Sequence, residues 1–262
     1  MAVNPEAGTW QTLGLRGDSD WLTPETLARP PRAKSPPRPI DTTLLLAPVV
    51  PRCIVGVGLN YRAHAAEQGK PLPDTPPLFL KHPRSLAAPF GALPLQPASA
   101  QLDYEAELGI VIGRAVFDCS RSEAAAAIAG WVIVQDYTLR DLARPEMLAI
   151  AKGGRGMAPI GPWLTTVDDV TLEDAGNLSI RCRVNGELRQ DAGTADMHVG
   201  PAQLVHHVAR HLPLGPGDII ATGSPAGSGV GMIPQRWLAP GDIVDTEITG
   251  LGRLRQQVTA PA

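Results

Sequence analysis

The stretch DYEAELGIVIG, residues 103–113, decides how this chain is read. It opens on carboxylates and runs into an apolar, β-branched tail, the composition of a strand that enters a core. Side chains at i and i+2 of a strand leave the same face, so Glu105 and Glu107 stand side by side, about 7 Å apart at Cα. Ala106 and Leu108 face the other way. Adjacent carboxylates repel, at rising cost when buried, unless a cation lies between them. Mg²⁺ and Mn²⁺ take oxygen ligands and would remove the conflict. The plainer alternative is a solvated strand start, since exposed carboxylates are common.

Working outward, residues 131–136 (WVIVQD) form a second apolar strand candidate that ends on Asp136. A carboxylate at the end of a buried strand needs a partner. Either Arg140 is that partner, or Asp136 joins Glu105 and Glu107 as a third metal ligand. Further strands are predicted at 53–58 (CIVGVG), 180–184 (IRCRV, before an Asn185-Gly186 hairpin turn), 219–223 and 243–248. The last two each follow a Pro-Gly-Asp turn. Ser120 and Glu123 make a capping box ahead of an alanine run, with Gly130 as its natural stop. Residues 62–68 and 201–211 are the other helix candidates. Strands outnumber helices and do not alternate with them, so the fold class is a β-rich α+β domain. The Pro-rich run 30–39 reads as a semi-rigid connector that closes a small N-terminal extension, residues 1–48. The body follows over 49–262.

Composition narrows the function. The 262 residues are 44% apolar and 19% charged, which is globular. Aromatics at 4% and a net charge of −3 argue against a nucleic-acid partner. The longest apolar run, residues 124–134, is too short to span a bilayer, and residues 1–10 lack the pattern of a signal peptide. Cys53, Cys119 and Cys182 lie far apart and outside any C-x-x-C, which suggests a reducing compartment and a cytoplasmic location. The GVGLNY run at 56–61 lacks the closing glycine of a dinucleotide fingerprint, and the glycine-rich loop 223–229 lacks the Lys-Ser/Thr of a P-loop. His64 and Glu67 lie at i and i+3 and share a face if the segment is helical. Such a pair is either a surface ion pair or an imidazole oriented for proton transfer.

The segments GVGLNYRAHAAE (56–67), PPLFLKHP (76–83), DYEAELGIVIG (103–113), AGWVIVQDYTLRD (129–141), AKGGRGMAPIGPW (151–163), NGELRQ (185–190) and PGDIIATGSPAG (216–227) together resemble the fumarylacetoacetate hydrolase family. The resemblance runs over about residues 51–257. It implies a mixed β-sheet roll or barrel with a few peripheral helices, a homodimer, and a small 2-oxo acid as substrate. It also implies Mg²⁺ or Mn²⁺ as cofactor, with Ca²⁺ a third candidate. On this resemblance Glu105, Glu107 and Asp136 hold the metal, and His64 and Glu67 activate water. Lys152 serves catalysis, while Lys81, Arg140, Gln190 and Ser224 line the substrate pocket.

The chain departs from the family where Lys152 is followed by Gly153-Gly154-Arg155, because an aspartate is common at the position of Arg155. Ser224 stands in place of a threonine, and the segment between Arg140 and Lys152 is short. Members related to the decarboxylase/isomerase of homoprotocatechuate breakdown also carry a basic residue after that lysine, so Arg155 becomes a candidate for a second substrate carboxylate. A solvated loop arginine is the alternative. The implied activity is hydrolysis of a C–C bond in an acylpyruvate-like acid through a metal-bound enolate. The alternatives are a decarboxylase or isomerase of a 2-oxo diacid, such as oxaloacetate or 5-carboxymethyl-2-oxo-hex-3-ene-1,7-dioate, and a non-catalytic metal-binding member.

Overall fold

The structure is a computed structural model that describes residues 2–11, 26–27 and 31–261. Parts of the expected N-terminal extension, residues 1, 12–25 and 28–30, and with them the start of the Pro-rich run, lie outside the described residues. Ala2–Asn4, Thr9–Gln11 and Arg38–Pro39 pair as a small antiparallel sheet. The end of the Pro-rich run is therefore an exposed edge strand, a place where a missing N–H costs little.

The body is β-rich and mixed. A seven-stranded sheet runs in the order Leu78–Lys81, Ile54–Val57, Ile219–Ala221, Ala106–Ile112, Ile128–Gln135, Ala158–Thr166, Leu86–Ala87. A five-stranded sheet runs Glu187–Gly193, Ser179–Val184, Ile243–Ile248, Gly252–Thr259, Phe90–Pro94. Asn185 and Gly186, with φ of 52° and 82°, close the hairpin that the sequence predicts, with Val184 opposite Glu187.

Both central strands of the larger sheet are buried on both faces, and their side chains sort by parity. Leu108, Ile110, Ile112, Trp131 and Ile133 enter the main core, which the five-stranded sheet completes with Ile180, Val244 and Leu254. Val111, Val132 and Val134 enter a second core on the opposite face, with Ile54, Ile160 and Ile219. Glu105 and Glu107 continue the parity of Val111, and Asp136 continues that of Val132 and Val134. The Asp136 N–H donates to the Glu105 carbonyl at 2.8 Å, which extends the ladder to the site. All three carboxylates thus emerge at one end of one face, for the same reason that the valines pack together.

The capping box forms as expected, but the helix stops at Ala126 and Gly130 is not its terminus. Gly130 lies inside the strand Ile128–Gln135, where a Cβ would stand 2.1 Å from the Thr165 carbonyl oxygen. Close backbone approach, rather than a helix cap, explains this glycine. Gly130→Ala is expected to destabilise the protein by about 1–3 kcal/mol, the usual cost of overpacking, in a denaturant titration. An unchanged midpoint would show that the two strands part easily.

Candidate active site

Glu105, Glu107 and Asp136 are buried and form a group whose candidate ligand oxygens all lie within 4.8 Å of one another. Asp136 does not pair with Arg140, the alternative the sequence left open. It accepts instead from Lys81 Nζ at 2.5 Å and Lys152 Nζ at 2.6 Å. Lys152 also donates to Glu105 at 2.7 Å and to Thr138 Oγ1 at 2.8 Å. Arg140 bridges Glu105 at 2.5 Å and Asp103 at 2.7 Å. Lys81 reaches the group from the end of the strand Leu78–Lys81, and Lys152 from the helix Leu148–Gly153.

These charges are shared unequally. Burial raises the Glu105 carboxyl, but Arg140 and then Lys152 outweigh it and hold it below the carboxylate range. Burial lowers the Lys152 ammonium, but Asp136 and Glu105 outweigh it and raise it. Lys81 is lowered, with burial ahead of its attraction to Asp136. Glu107 is pushed well up, by burial first and then by Asp136 and Glu105. It accepts from the Gly223 N–H at 2.8 Å, and among the described residues no salt bridge reaches it. A buried carboxylate whose two carboxylate neighbours outweigh the pull of Lys152 is what a hard divalent ion would satisfy, so the all-oxygen donor set fits Mg²⁺ or Mn²⁺.

His64 and Glu67 lie on the helix Arg62–Glu67, with Nδ1 3.2 Å from Oε2. His64 is 4% exposed while Glu67 is exposed, so the imidazole end of the pair is buried and the carboxylate end reaches solvent. The other Glu67 oxygen accepts the Gly227 N–H at 3.0 Å, which ties the helix to the loop expected from 223–229. Asn60 fixes the helix entrance, its amide donating to Thr222 and Val199 carbonyls at 2.8 and 3.0 Å.

Sequence reasoning missed Asp103, Thr138 and Gln68. Asp103 is wholly buried and accepts from Arg140 and from the Gly229 and Val230 N–H groups at 2.7 and 3.1 Å. It therefore joins the Glu105 side of the site to the loop that holds Glu67. Its place at the head of DYEAEL was the available signal: its parity is that of Glu105 and Glu107. Gln68 lies 2.7 Å from His64 Nε2 and had no signal beyond following the dyad.

The remaining predicted residues divide. Gln190 is fully buried and its amide is engaged by protein, donating to Ser224 Oγ and the Pro225 carbonyl at 2.8 Å each and accepting from the Ala106 N–H at 3.0 Å. Gln190 and Ser224 thus clamp the loop against the strand that carries Glu107. Arg155 is exposed, beyond the end of the Lys152 helix, and its carbonyl accepts from Gln96 at 3.1 Å. Among the described residues no helix is long and apolar enough to cross a membrane.

The family model for the fumarylacetoacetate (FAA) hydrolase C-terminal domain matches residues 53–259. The 2,4-didehydro-3-deoxy-L-rhamnonate hydrolase of Sphingomonas sp. strain SKA58 is 39% identical over 209 residues, covering 79% of this chain and 73% of that protein. The mitochondrial oxaloacetate tautomerase FAHD2B of Bos taurus is 37% identical over 227 residues, covering 85% and 72%. The crystal structure of 5-carboxymethyl-2-hydroxymuconate delta-isomerase from Mycobacterium smegmatis superposes with a TM-score of 0.75 at 32% identity, covering 88% of each chain. The relatives are named as hydrolase, tautomerase and isomerase, so the chain is an enzyme and the non-catalytic alternative falls. Coverage of this extent, more than any single motif, places the chain in the fumarylacetoacetate hydrolase family.

Proposed function

We propose that this enzyme hydrolyses a carbon–carbon bond in a small, acylpyruvate-like 2-oxo acid. The observation that carries the reading is the contact of the buried His64 imidazole with Glu67, whose other oxygen is held by the Gly227 N–H. Glu105, Glu107 and Asp136 would hold Mg²⁺ or Mn²⁺, with Ca²⁺ a third candidate. When bound, the ion supplies Lewis acidity at the 2-oxo oxygen. Lys152, Arg140 and Lys81 set the charge of the site, so an anionic substrate meets compensating cations. His64 takes a proton from water at Nε2 as the oxygen adds to the remote carbonyl, and Glu67 stabilises the imidazolium. The C–C bond then breaks, and the proton passes to the departing carbon. Gln190 and Ser224 hold the loop in place around this step.

The resemblance also supports a homodimer, and the unpaired Cys53, Cys119 and Cys182 support a reducing compartment. Incubating the Mg²⁺-loaded enzyme with an acylpyruvate and, separately, with oxaloacetate tests the reading. Pyruvate and a free carboxylic acid from the first substrate are expected. Turnover of oxaloacetate alone would replace hydrolysis by tautomerisation or decarboxylation.

That second reading, a 2-oxo diacid as substrate, is favoured by Arg155. Its guanidinium is exposed three residues beyond Lys152 and free to grip a second carboxylate. Arg155→Ala is expected to cost a diacid about 1.5–3 kcal/mol more in kcat/KM than a matched monoacid, the size of a charged hydrogen bond. Equal losses for both substrates, or none, would remove Arg155 from the pocket.

A further inference from the structure

The His64 ring has neighbours on both sides. Nδ1 faces Glu67 Oε2 at 3.2 Å, and Nε2 faces the Gln68 side-chain amide nitrogen at 2.7 Å. The nitrogen that a base must use is therefore already occupied. The orientation of that amide follows from a third contact: Lys70 Nζ donates to Gln68 Oε1 at 2.8 Å. An ammonium has donors only, so the atom facing it is the amide oxygen, and the NH₂ is left to face the imidazole. An amide NH₂ donates, so Nε2 must accept, and the ring proton lies on Nδ1 toward Glu67.

Local sequence builds this arrangement. Gln68 caps the helix Arg62–Glu67, and Gly69 follows with φ of 62°. The Lys70 N–H returns to the Ala65 carbonyl at 2.9 Å and the Gly69 N–H to the Ala66 carbonyl at 3.0 Å. This is the glycine-dependent Schellman turn, which reverses the chain and brings Lys70 back beside Gln68. Glu67 is fixed independently by the Gly227 N–H. The ring thus stands between a carboxylate anchored to the backbone of Gly227 and a half-buried side chain whose own tether is an exposed lysine. Of the two neighbours, Gln68 is the one able to move away.

We propose that Gln68 is a displaceable cap on His64: it donates to Nε2 in the resting enzyme, keeps that nitrogen unprotonated and covered, and leaves when the substrate and its water take the position. This rests on the reading of His64 as the base. Gln68 is then a positioning residue, and Lys70 sets how firmly it sits.

The test uses the full chain loaded with Mg²⁺ and labelled with ¹⁵N in its histidine rings, His64 being assigned by its loss in His64→Asn. The His64 spectrum is expected to show a protonated Nδ1 and a bare, hydrogen-bonded Nε2. Gln68→Ala is expected to shift the Nε2 signal, and saturating oxalate is expected to move the wild-type signal to the same place. Diethyl pyrocarbonate acylates only an unprotonated, uncovered imidazole nitrogen. Its rate at His64, read by peptide mass, is expected to rise about fivefold in Gln68→Ala, as losing one neutral hydrogen bond predicts, and by less in Lys70→Met. A proton on Nε2 in the wild type, equal acylation rates, or a signal unmoved by oxalate would each overturn the cap. These measurements need no turnover. A capped His64 in an enzyme that hydrolyses nothing would remove the hydrolytic reading and leave the cap standing.

Discussion

Glu107→Gln is expected to abolish divalent-ion binding and turnover together while leaving the protein folded. Among the described residues Glu107 is the member of the carboxylate group that forms no salt bridge, and burial beside Asp136 and Glu105 already makes its charge unfavourable. Removing that charge takes away a ligand oxygen and relieves repulsion, so the metal-free variant should melt above the metal-free wild type. The Gly223 N–H keeps an oxygen to donate to, since glutamine retains one. Glu105→Ala makes the contrast. It takes one partner from each of Lys152 and Arg140, which keep Asp136 and Asp103, and breaking such buried pairs costs about 3–5 kcal/mol. Calorimetric titration with Mn²⁺ and thermal melts of the two variants separate ligand loss from unfolding. Full activity in Glu107→Gln, or in wild type after exhaustive chelation, would sink the metal assignment.

His64→Ala is expected to keep metal affinity and to lose hydrolysis by about 10²–10⁴, the usual contribution of a positioned general base. The ring bonds to Glu67 and Gln68 and not to Glu105, Glu107 or Asp136, so the carboxylate group should survive its removal. The loss should fall on kcat with the substrate's 2-oxo end still held. Decarboxylation or tautomerisation of oxaloacetate should suffer less than hydrolysis, because no attacking water has to be deprotonated. Rates for both substrates with wild type and variant decide the matter. Unchanged hydrolysis would make His64 a structural residue.

Much of the candidate site is legible in the sequence, but unevenly. Glu105 and Glu107 could be placed on one face because a strand has a period of two, and the structure keeps that parity through Val111 into the second core. The dyad was legible because i and i+3 meet on any helix. Asp136 was ambiguous, since a nearby Arg140 offered a local partner that the fold assigns elsewhere. Gly130 was misread because a glycine after an alanine run resembles a cap, and only the neighbouring strand shows why no side chain fits there.

The sequence by itself determined which residues share a face, which turns close and which carboxylates must be reconciled with one another, because all of these depend on the period and stereochemistry of a few consecutive residues. Tertiary structure alone decided which cations do the reconciling. Lys81 lies 55 residues before Asp136, Arg140 lies 37 after Asp103, and Gln190 reaches a strand 84 residues before it. No local pattern encodes such pairs. They are chosen when the sheets close, because each buried charge or amide then loses water and must take whichever partner the packing has brought within reach.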